Sequence, residues 1–179
     1  MATVRKVRAD EADQVLDFYT RMIDGMRGTE FDVCWEHDVH PTRAFLRAST
    51  EAGEVLVVEA PGSGADGPRF AAALVLNAEG DPGYDRVRWQ VDAAPDEVLV
   101  VHVLATLPQF HGRGYARQLL EGAIAAAREA GAKALRLDTF TTNGRAQGLY
   151  ESCGFANCGV YEDFYPHLGR AGVLYECEL

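Results

Sequence analysis

The chain has 179 residues, which suits one domain, and its 47% hydrophobic and 25% charged residues are typical of a globular protein. Its net charge of −10 argues against a nucleic-acid partner, because a protein neutralises phosphates with basic patches. The negative charge favours a cationic ligand, and a need for solubility alone would also explain the charge. No apolar run approaches a membrane span and no signal-peptide core is present, so we expect no membrane partner and a cytoplasmic location.

The first half of the chain predicts strands and two helices. TVRKVRA alternates and predicts a strand, and Asp10 is expected to cap a helix whose apolar face carries Ala12, Val15, Leu16 and Tyr19. Pro41 is expected to open a second helix, PTRAFLRASTEA, which Gly53 closes. EVLVVEA and RFAAALVLNAEG predict two strands of a hairpin around the turn PGSGADGP.

The second half predicts strands on either side of a central helix. A polar connection, GDPGYDRVRWQVDAAPDE, with a short strand at VRWQV, leads to the apolar strand VLVVHVLAT. A helix follows the loop LPQFHGRG and is stopped by Gly131. ALRLDTF is the next strand, Asn143 or Thr142 caps a short helix that ends near Gly154, and FANCGVYEDFY and GVLYECEL predict the last strands.

The four cysteines form no Cys-x-x-Cys pair, and we expect them to be reduced thiols. Cys34, His37 and His40 lie close together in CWEHDVH, but no second group of ligands completes a tetrahedral site. We therefore expect no bound metal.

The stretch HGRGYARQLL, residues 111–120, places Gly112 and Gly114 at the mouth of the central helix. The first N–H groups of a helix have no internal partner and the dipole there is positive, so a diphosphate is a natural ligand. Taken alone the pattern is weak, because it lacks one glycine of the dinucleotide fingerprint and no Gly-Lys-Ser/Thr of a P-loop follows.

A second motif, NGRAQGLYESCGF, follows the next strand and carries six residues at fixed spacing: Asn143, Ala146, Leu149, Tyr150, Gly154 and Phe155. Together the two motifs resemble the GCN5-related N-acetyltransferase (GNAT) family. Its signature is Arg/Gln-x-x-Gly-x-Gly/Ala, followed by Asn-x-x-Ala-x-x-Leu-Tyr-x-x-x-Gly-Phe. The chain matches well from Val98 onward, and its first half matches in element order only.

The resemblance implies a mixed α/β fold in one GNAT domain over residues 1–179. A central twisted sheet of six to seven strands would be flanked by about four helices. Its fourth and fifth strands, VLVVHVLAT and ALRLDTF, would splay apart into a V that holds acetyl-CoA.

The resemblance also implies which residues bind acetyl-CoA as co-substrate. The pantetheine arm would pair with the backbone of the fourth strand, and the pyrophosphate would lie on the loop and the start of the helix. The cofactor-binding residues implied are Leu104, Ala105, Thr106, His111, Gly112, Arg113, Gly114, Tyr115, Ala116, Asn143 and Tyr150.

One position departs from the family pattern, because His111 stands where the family has arginine or glutamine. A nearby diphosphate would favour the protonated imidazole. The alternative is a solvent-exposed loop histidine.

The family's direct attack of amine on thioester requires an acid for the leaving thiolate and a base for the ammonium. Tyr150 occupies the family's acid position; the alternative is a packed ring with its hydroxyl bonded to backbone. His102, a lone polar residue in an apolar strand, is the candidate base, since arylalkylamine acetyltransferases carry a substrate-facing histidine there. The alternatives are a satisfied core histidine or a water relay in place of a side-chain base.

The amine pocket of GNAT folds lies between the first two helices, their connecting loop and the last two strands. That location points to Trp35, Glu36, His37, Tyr161, Asp163 and Tyr165 as substrate-binding residues. Aromatic rings and acids there would suit a cation, and each is equally explained as ordinary core or surface.

The leading interpretation is thus an acetyl-CoA-dependent N-acetyltransferase acting on a primary amine of a small molecule or peptide in a ternary complex. The alternative from another class is a non-catalytic acyl-CoA-binding or sensor protein of the same fold. A dehydrogenase is disfavoured, because its glycine fingerprint belongs after the first strand of a βαβ unit. The family also leaves a homodimer open.

Overall fold

The computed structural model describes residues 4–61 and 69–179. Seven strands form one sheet in the order β1-β2-β3-β4-β5-β7-β6. Their bounds are Val4–Lys6 (β1), Val55–Glu59 (β2), Phe70–Asn77 (β3), Val98–Thr106 (β4), Ala134–Phe140 (β5), Ala156–Tyr165 (β6) and Arg170–Glu178 (β7). The predicted mixed α/β fold with six to seven strands is confirmed.

Four α-helices occur in the described residues: Ala12–Met26 (α1), Arg43–Glu51 (α2), Tyr115–Glu129 (α3) and Gly144–Ser152 (α4). The helix ends correct two predictions. Asp10 does not cap α1, because it lies in a short 3-10 helix and its carboxylate accepts from Arg8 Nε at 3.1 Å. Pro41 does not open α2, whose N-cap is Thr42. No helix in the described ranges is both long and apolar enough to cross a bilayer.

Pairing within the sheet explains which predicted strands formed. β1, β2 and β3 pair antiparallel in succession, so the predicted hairpin is confirmed, while most of its turn, residues 62–68, lies outside the described residues. The predicted short strand VRWQV is wrong: the backbone N–H groups of Gln90 and Val91 donate to the Glu176 carboxylate, at 2.7 and 2.9 Å. Those donors are therefore used by a side chain.

The parallel pairing of β4 with β5 runs over three residue pairs, from Val98 with Ala134 to Val100 with Arg136. β5 pairs antiparallel with β7 along its whole length. A short β4–β5 pairing fits the predicted V, and the splay itself stays a prediction.

The described chain forms two compact units: residues up to Leu76 with His102–Gly122, and Asn77–Val101 with Ala123–Leu179. In the first unit, the apolar face of α1 packs with β2 and β3: Val15, Leu16 and Tyr19 are buried there as predicted, whereas Ala12 is half-buried and outside this cluster. In the second unit, a smaller cluster contains Tyr84, Val87, Val100, Phe164 and Leu174. The prediction of one domain over residues 1–179 stays a prediction.

Glu11 is a buried carboxylate in the first unit and is expected to make stability depend on acid pH. It accepts two hydrogen bonds from the Arg5 guanidinium, at 2.7 and 2.8 Å, and one from Arg8 N at 3.0 Å. The hydrogen bonds from Arg5 are the main cause that lowers the Glu11 pKa from 4.5 to about 2, and the bond from the Arg8 amide adds to it. Because the folded pKa is depressed, this stabilisation is present above pH 4.5 and is lost as pH falls toward 2.

We expect the difference in unfolding free energy between the wild type and Glu11→Gln to shrink by on the order of 2 kcal/mol between pH 6 and pH 3. Urea unfolding at both pH values measures it. Asp10→Asn is the control, because the Asp10 side chain is 75% exposed and its ion pair is with Arg8. Equal pH dependence in the wild type and Glu11→Gln would contradict the prediction.

Candidate active site

The predicted diphosphate loop is an exposed glycine turn between β4 and α3. Gly112 and Gly114 have φ angles of 74° and 77°, and nothing lies within 4 Å of where a Cβ would be at either. Only glycine adopts this left-handed region without cost. The backbone of the turn is thus open to a ligand on the side where side chains would otherwise project.

The loop also carries unused hydrogen-bond donors. The first helical bond of α3 runs from Gln118 N to Gly114 O at 3.0 Å. The N–H groups of the five residues from Gly112 to Ala116 have no acceptor in the described part of the chain. Five main-chain donors at a helix N-terminus fit the diphosphate of acetyl-CoA.

His111 ties this loop to the end of β4. Its Nε2 lies 3.0 Å from Thr106 O, and its ring packs edge-on against Phe31 with centroids 4.8 Å apart. The half-buried imidazole is therefore not the solvent-exposed loop histidine of the alternative interpretation. Its ring already has partners within the chain. Its contact with a diphosphate stays a prediction.

The last residues of β4 supply the backbone predicted to pair with the pantetheine arm. Ala105 and Thr106 are buried and Leu104 is half-buried. The Thr106 hydroxyl is buried without a hydrogen-bond partner in the described residues. Such orphaned hydroxyls are rare, and this one fits a partner supplied from outside the chain.

His102, the predicted base, is half-buried in β4 and packs edge-on against Phe45, with ring centroids 6.2 Å apart. The next residue, Val103, has a φ of 47°, and its carbonyl accepts a hydrogen bond from the Tyr19 hydroxyl at 2.9 Å. The histidine therefore sits beside an unusual backbone conformation.

The connection between α1 and α2 forms a cleft of about 460 Å³, which includes three of the predicted substrate residues. It is lined by Arg27, Asp32, Cys34, Trp35, Glu36 and His37. His37 Nε2 lies 2.7 Å from Asp24 Oδ1. The Asp32 carboxylate accepts from Gly28 N and Cys34 N, both at 2.8 Å, and these bonds lower its pKa. The cleft wall is thus organised by side-chain bonds to its own backbone.

The other predicted substrate residues lie in the second unit. Tyr161 accepts from Arg88 N at 3.0 Å, and Asp163 is exposed with a φ of 53°. The Tyr165 hydroxyl donates a hydrogen bond to Asp138 Oδ2. The six predicted residues therefore fall into two groups, one in each unit.

Asp138 was missed by sequence reasoning. This half-buried β5 residue also accepts from the Tyr84 hydroxyl, at 2.7 Å on Oδ1. Burial is the main cause that raises the pKa of Tyr84 and Tyr165, and the Asp138 charge is the second. Both hydroxyls therefore stay protonated and act as donors. A lone acid in the alternating strand ALRLDTF was the signal that could have identified it.

Tyr150, the predicted acid, is buried in α4. Its ring packs against Phe155 and Tyr175, with centroids 6.2 and 5.6 Å away. Its hydroxyl makes no hydrogen bond to the described residues, so the alternative of a backbone-bonded hydroxyl is not what the structure contains. Burial, followed by the Asp138 charge, raises the Tyr150 pKa above its ordinary value of 10.

Asn143 is used by the fold around it. Its Oδ1 accepts from Ala146 N at 3.2 Å, which caps α4, and its Nδ2 donates to Thr139 Oγ1 at 3.2 Å. The predicted cap is confirmed, and the predicted cofactor contact stays a prediction. Within residues 4–61 and 69–179, no group of three or more His, Cys, Asp or Glu side chains could hold a metal ion.

Solved structures with the same fold cover almost the whole chain. A GNAT-family acetyltransferase from Streptococcus agalactiae superposes with a TM-score of 0.77 at 22% identity, covering 99% of this chain and 95% of that one. YncA of Salmonella typhimurium, solved with its cofactor acetyl-CoA, gives 0.68 at 17% identity and covers 100% and 94%. At these identities the likeness establishes the fold.

Two curated proteins match shorter segments. A [ribosomal protein bS18]-alanine N-acetyltransferase of Haemophilus ducreyi is 36% identical over 63 residues, 35% of this chain and 43% of that protein. An uncharacterized protein of Mycobacterium leprae is 36% identical over 74 residues, 41% of this chain and 20% of that protein. The chain thus aligns with less than half the length of each.

A family model described as the acetyltransferase (GNAT) family matches residues 25–155. The match includes both the glycine loop and the Asn143–Phe155 motif, and it covers well over half of the 179 residues. The chain therefore belongs to the acetyltransferase (GNAT) family, as its two motifs predicted.

Proposed function

We propose that the protein is an acetyl-CoA-dependent N-acetyltransferase that acts on a primary amine of a small molecule or peptide by direct attack in a ternary complex. The observation that carries the proposal is the set of five main-chain donors from Gly112 to Ala116, which have no acceptor among the described residues. Family membership supports it, as does the acetyl-CoA bound by YncA. The name of the Haemophilus enzyme supports an amine of a peptide as one acceptor class.

The first unit would hold the co-substrate, and acetyl-CoA when bound supplies an activated acetyl group. The amides from Gly112 to Ala116 would bind its diphosphate, with Arg113 exposed beside them to add positive charge. The backbone of Leu104–Thr106 would pair with the pantetheine arm as an added strand. His111 would keep the loop in place through its bond to Thr106 O.

Each unit contains candidate residues for proton transfer. An aliphatic ammonium has a pKa of roughly 10.4 and must lose a proton before it can attack. His102 is one candidate to accept that proton, and a water relay is the other route expected from the sequence. The Asp138 carboxylate, which already orders two tyrosine hydroxyls, is a further candidate for accepting the proton or binding the ammonium. Tyr150 would protonate the leaving thiolate.

The alternative is a protein that binds acyl-CoA without transferring the acyl group. His111 favours it, because the family's arginine or glutamine is replaced by a residue whose ring is bonded to Thr106. Release of free CoA thiol in the presence of an amine, measured over a panel of small amines and peptide N-termini, would separate the two functions.

Acetyl-CoA is expected to raise the thermal stability of the wild-type chain. At one hundred times Kd the gain is about 2.7 kcal/mol, or about 5–10 °C in Tm for a chain of this size. The measurement is a thermal melt with acetyl-CoA, with NADH and ATP as comparison ligands. No shift, or a shift with NADH alone, would overturn the proposed function.

Gly114→Val should abolish this shift, because a β-branched residue at φ 77° is strained and projects into the diphosphate loop. Gly131→Val is the matched control, since Gly131 has a φ of 78° and equally open surroundings after α3. Both variants should lose stability from backbone strain, and the control should keep its full response to acetyl-CoA. A full response in Gly114→Val would contradict the loop assignment.

A further inference from the structure

Val103 has a backbone conformation that needs an explanation. It is a buried, β-branched residue within β4, and its φ of 47° lies in the left-handed region. For such a residue this conformation is a genuine outlier, and it persists only when surrounding structure holds it. Leu104, the first residue predicted to pair with the pantetheine arm, follows directly.

A side chain of α1 is bonded to the carbonyl of this residue. The Tyr19 hydroxyl donates to Val103 O at 2.9 Å, between residues 84 positions apart in sequence. Tyr19 is 2% exposed and Val103 is 8% exposed, so water does not compete for the bond. Burial raises the Tyr19 pKa, so the hydroxyl remains a donor at every physiological pH.

Tyr19 is itself fixed by its neighbours. Its ring packs edge-on against Phe18, with centroids 5.0 Å apart, and lies 6.4 Å from the Trp35 ring. The carbonyl of Val103 is thus anchored to a helix through a rigid aromatic side chain.

We propose that Tyr19 is a positioning residue whose hydroxyl holds β4 at Val103 in the left-handed conformation, so that the backbone from Leu104 to Thr106 is set for acetyl-CoA. The inference rests on the proposed function. Tyr19 does not touch the reacting atoms, and it acts through the main chain of β4.

The test compares Tyr19→Phe with the wild type by two readouts. Hydrogen exchange of the amides at 102–106, in the chain without ligand, should become about tenfold faster in Tyr19→Phe. The Kd for acetyl-CoA should rise by about tenfold, as expected for the loss of one buried hydrogen bond. Thr50→Val is the matched control, because it removes a buried hydroxyl that donates to Leu46 O at 2.7 Å within α2. It should change neither readout by more than twofold.

Val103→Gly gives an independent arm, because glycine adopts a positive φ without an anchoring bond. Adding Tyr19→Phe to Val103→Gly should change the Kd by less than twofold, and this comparison does not require the single Tyr19 variant to fold. A tenfold loss in both backgrounds would overturn the inference, since the hydroxyl would then act by another route.

The two proposals fail in different ways. If the wild type binds acetyl-CoA and Tyr19→Phe binds it equally well with unchanged exchange at 102–106, the positioning role is wrong and the proposed function stands. If Tyr19→Phe speeds amide exchange at 102–106 but acetyl-CoA does not raise the Tm of the wild type, the proposed function is wrong. The proposed effect of Tyr19 on acetyl-CoA binding is then wrong as well.

Discussion

Replacing Tyr150 by phenylalanine is expected to lower kcat for acetyl transfer by about a hundredfold or more, with little change in KM for the amine. Phenylalanine keeps the ring contacts with Phe155 and Tyr175 but has no proton to give. The leaving thiolate has a conjugate acid of pKa roughly 8.5, so it leaves more readily when a neighbouring acid protonates it. Initial rates of CoA thiol release at saturating acetyl-CoA measure the effect.

The raised pKa of Tyr150 predicts a pH profile as well. Because burial and the Asp138 charge move this pKa above 10, the hydroxyl stays protonated at all lower pH values. The wild-type rate should therefore show no alkaline fall due to Tyr150 between pH 7 and roughly pH 9.

Tyr175→Phe is the matched control for the Tyr150 experiment. Its ring packs against Tyr150, but its hydroxyl is occupied, donating to Glu151 Oε1 at 3.1 Å. This variant should lose stability and keep most of its turnover. A Tyr150→Phe rate within threefold of the wild type would show that Tyr150 only packs.

Replacing Glu176 by alanine is expected to destabilise the fold by about 3–5 kcal/mol. The Glu176 side chain is 1% exposed and accepts from Arg136 Nε at 2.9 Å and from the main chain of Gln90 and Val91. Its removal leaves two amides and a guanidinium that is only 12% exposed without their acceptor. The loss should be large because an uncompensated charge remains buried.

Urea unfolding of the wild type and Glu176→Ala measures this loss, and two further variants test its origin. Glu178→Ala removes an exposed carboxylate from the same strand and should change stability by less than about 0.5 kcal/mol. Glu176→Gln keeps an acceptor for the two amides but not the charge. Its loss of stability should therefore lie between the losses in Glu176→Ala and Glu178→Ala. A loss below about 1 kcal/mol in Glu176→Ala would refute the prediction.

The glycine loop before α3 and the cap of α4 could be predicted from the sequence because each is made of contiguous main chain. Gly112 and Gly114 do take the left-handed conformation expected of glycines at a helix mouth, and Asn143 does cap α4. Helix starts, glycine turns and caps depend on residues a few positions apart. The same locality explains why the two motifs were enough to identify the family.

Other parts of the structure could not be predicted, because they depend on long-range pairing. Asp138 meets Tyr84 and Tyr165 across 54 and 27 residues of sequence. VRWQV has the alternation of a strand, yet its donors bond to Glu176, more than 80 residues away. The starts of α1 and α2 were mispredicted for a different, local reason: Asp10 pairs with Arg8, and Thr42 rather than Pro41 provides the cap of α2.

The sequence alone determined the family, the mixed α/β element order and the glycine loop before α3, because local periodicity and glycine geometry encode them. Only the tertiary structure decided what Asp138, Glu176 and Tyr19 do. Each of these side chains acts through hydrogen bonds to residues far away in the chain. Strand register and side-chain packing determine which residues become partners, and neither can be predicted from a local pattern of residues.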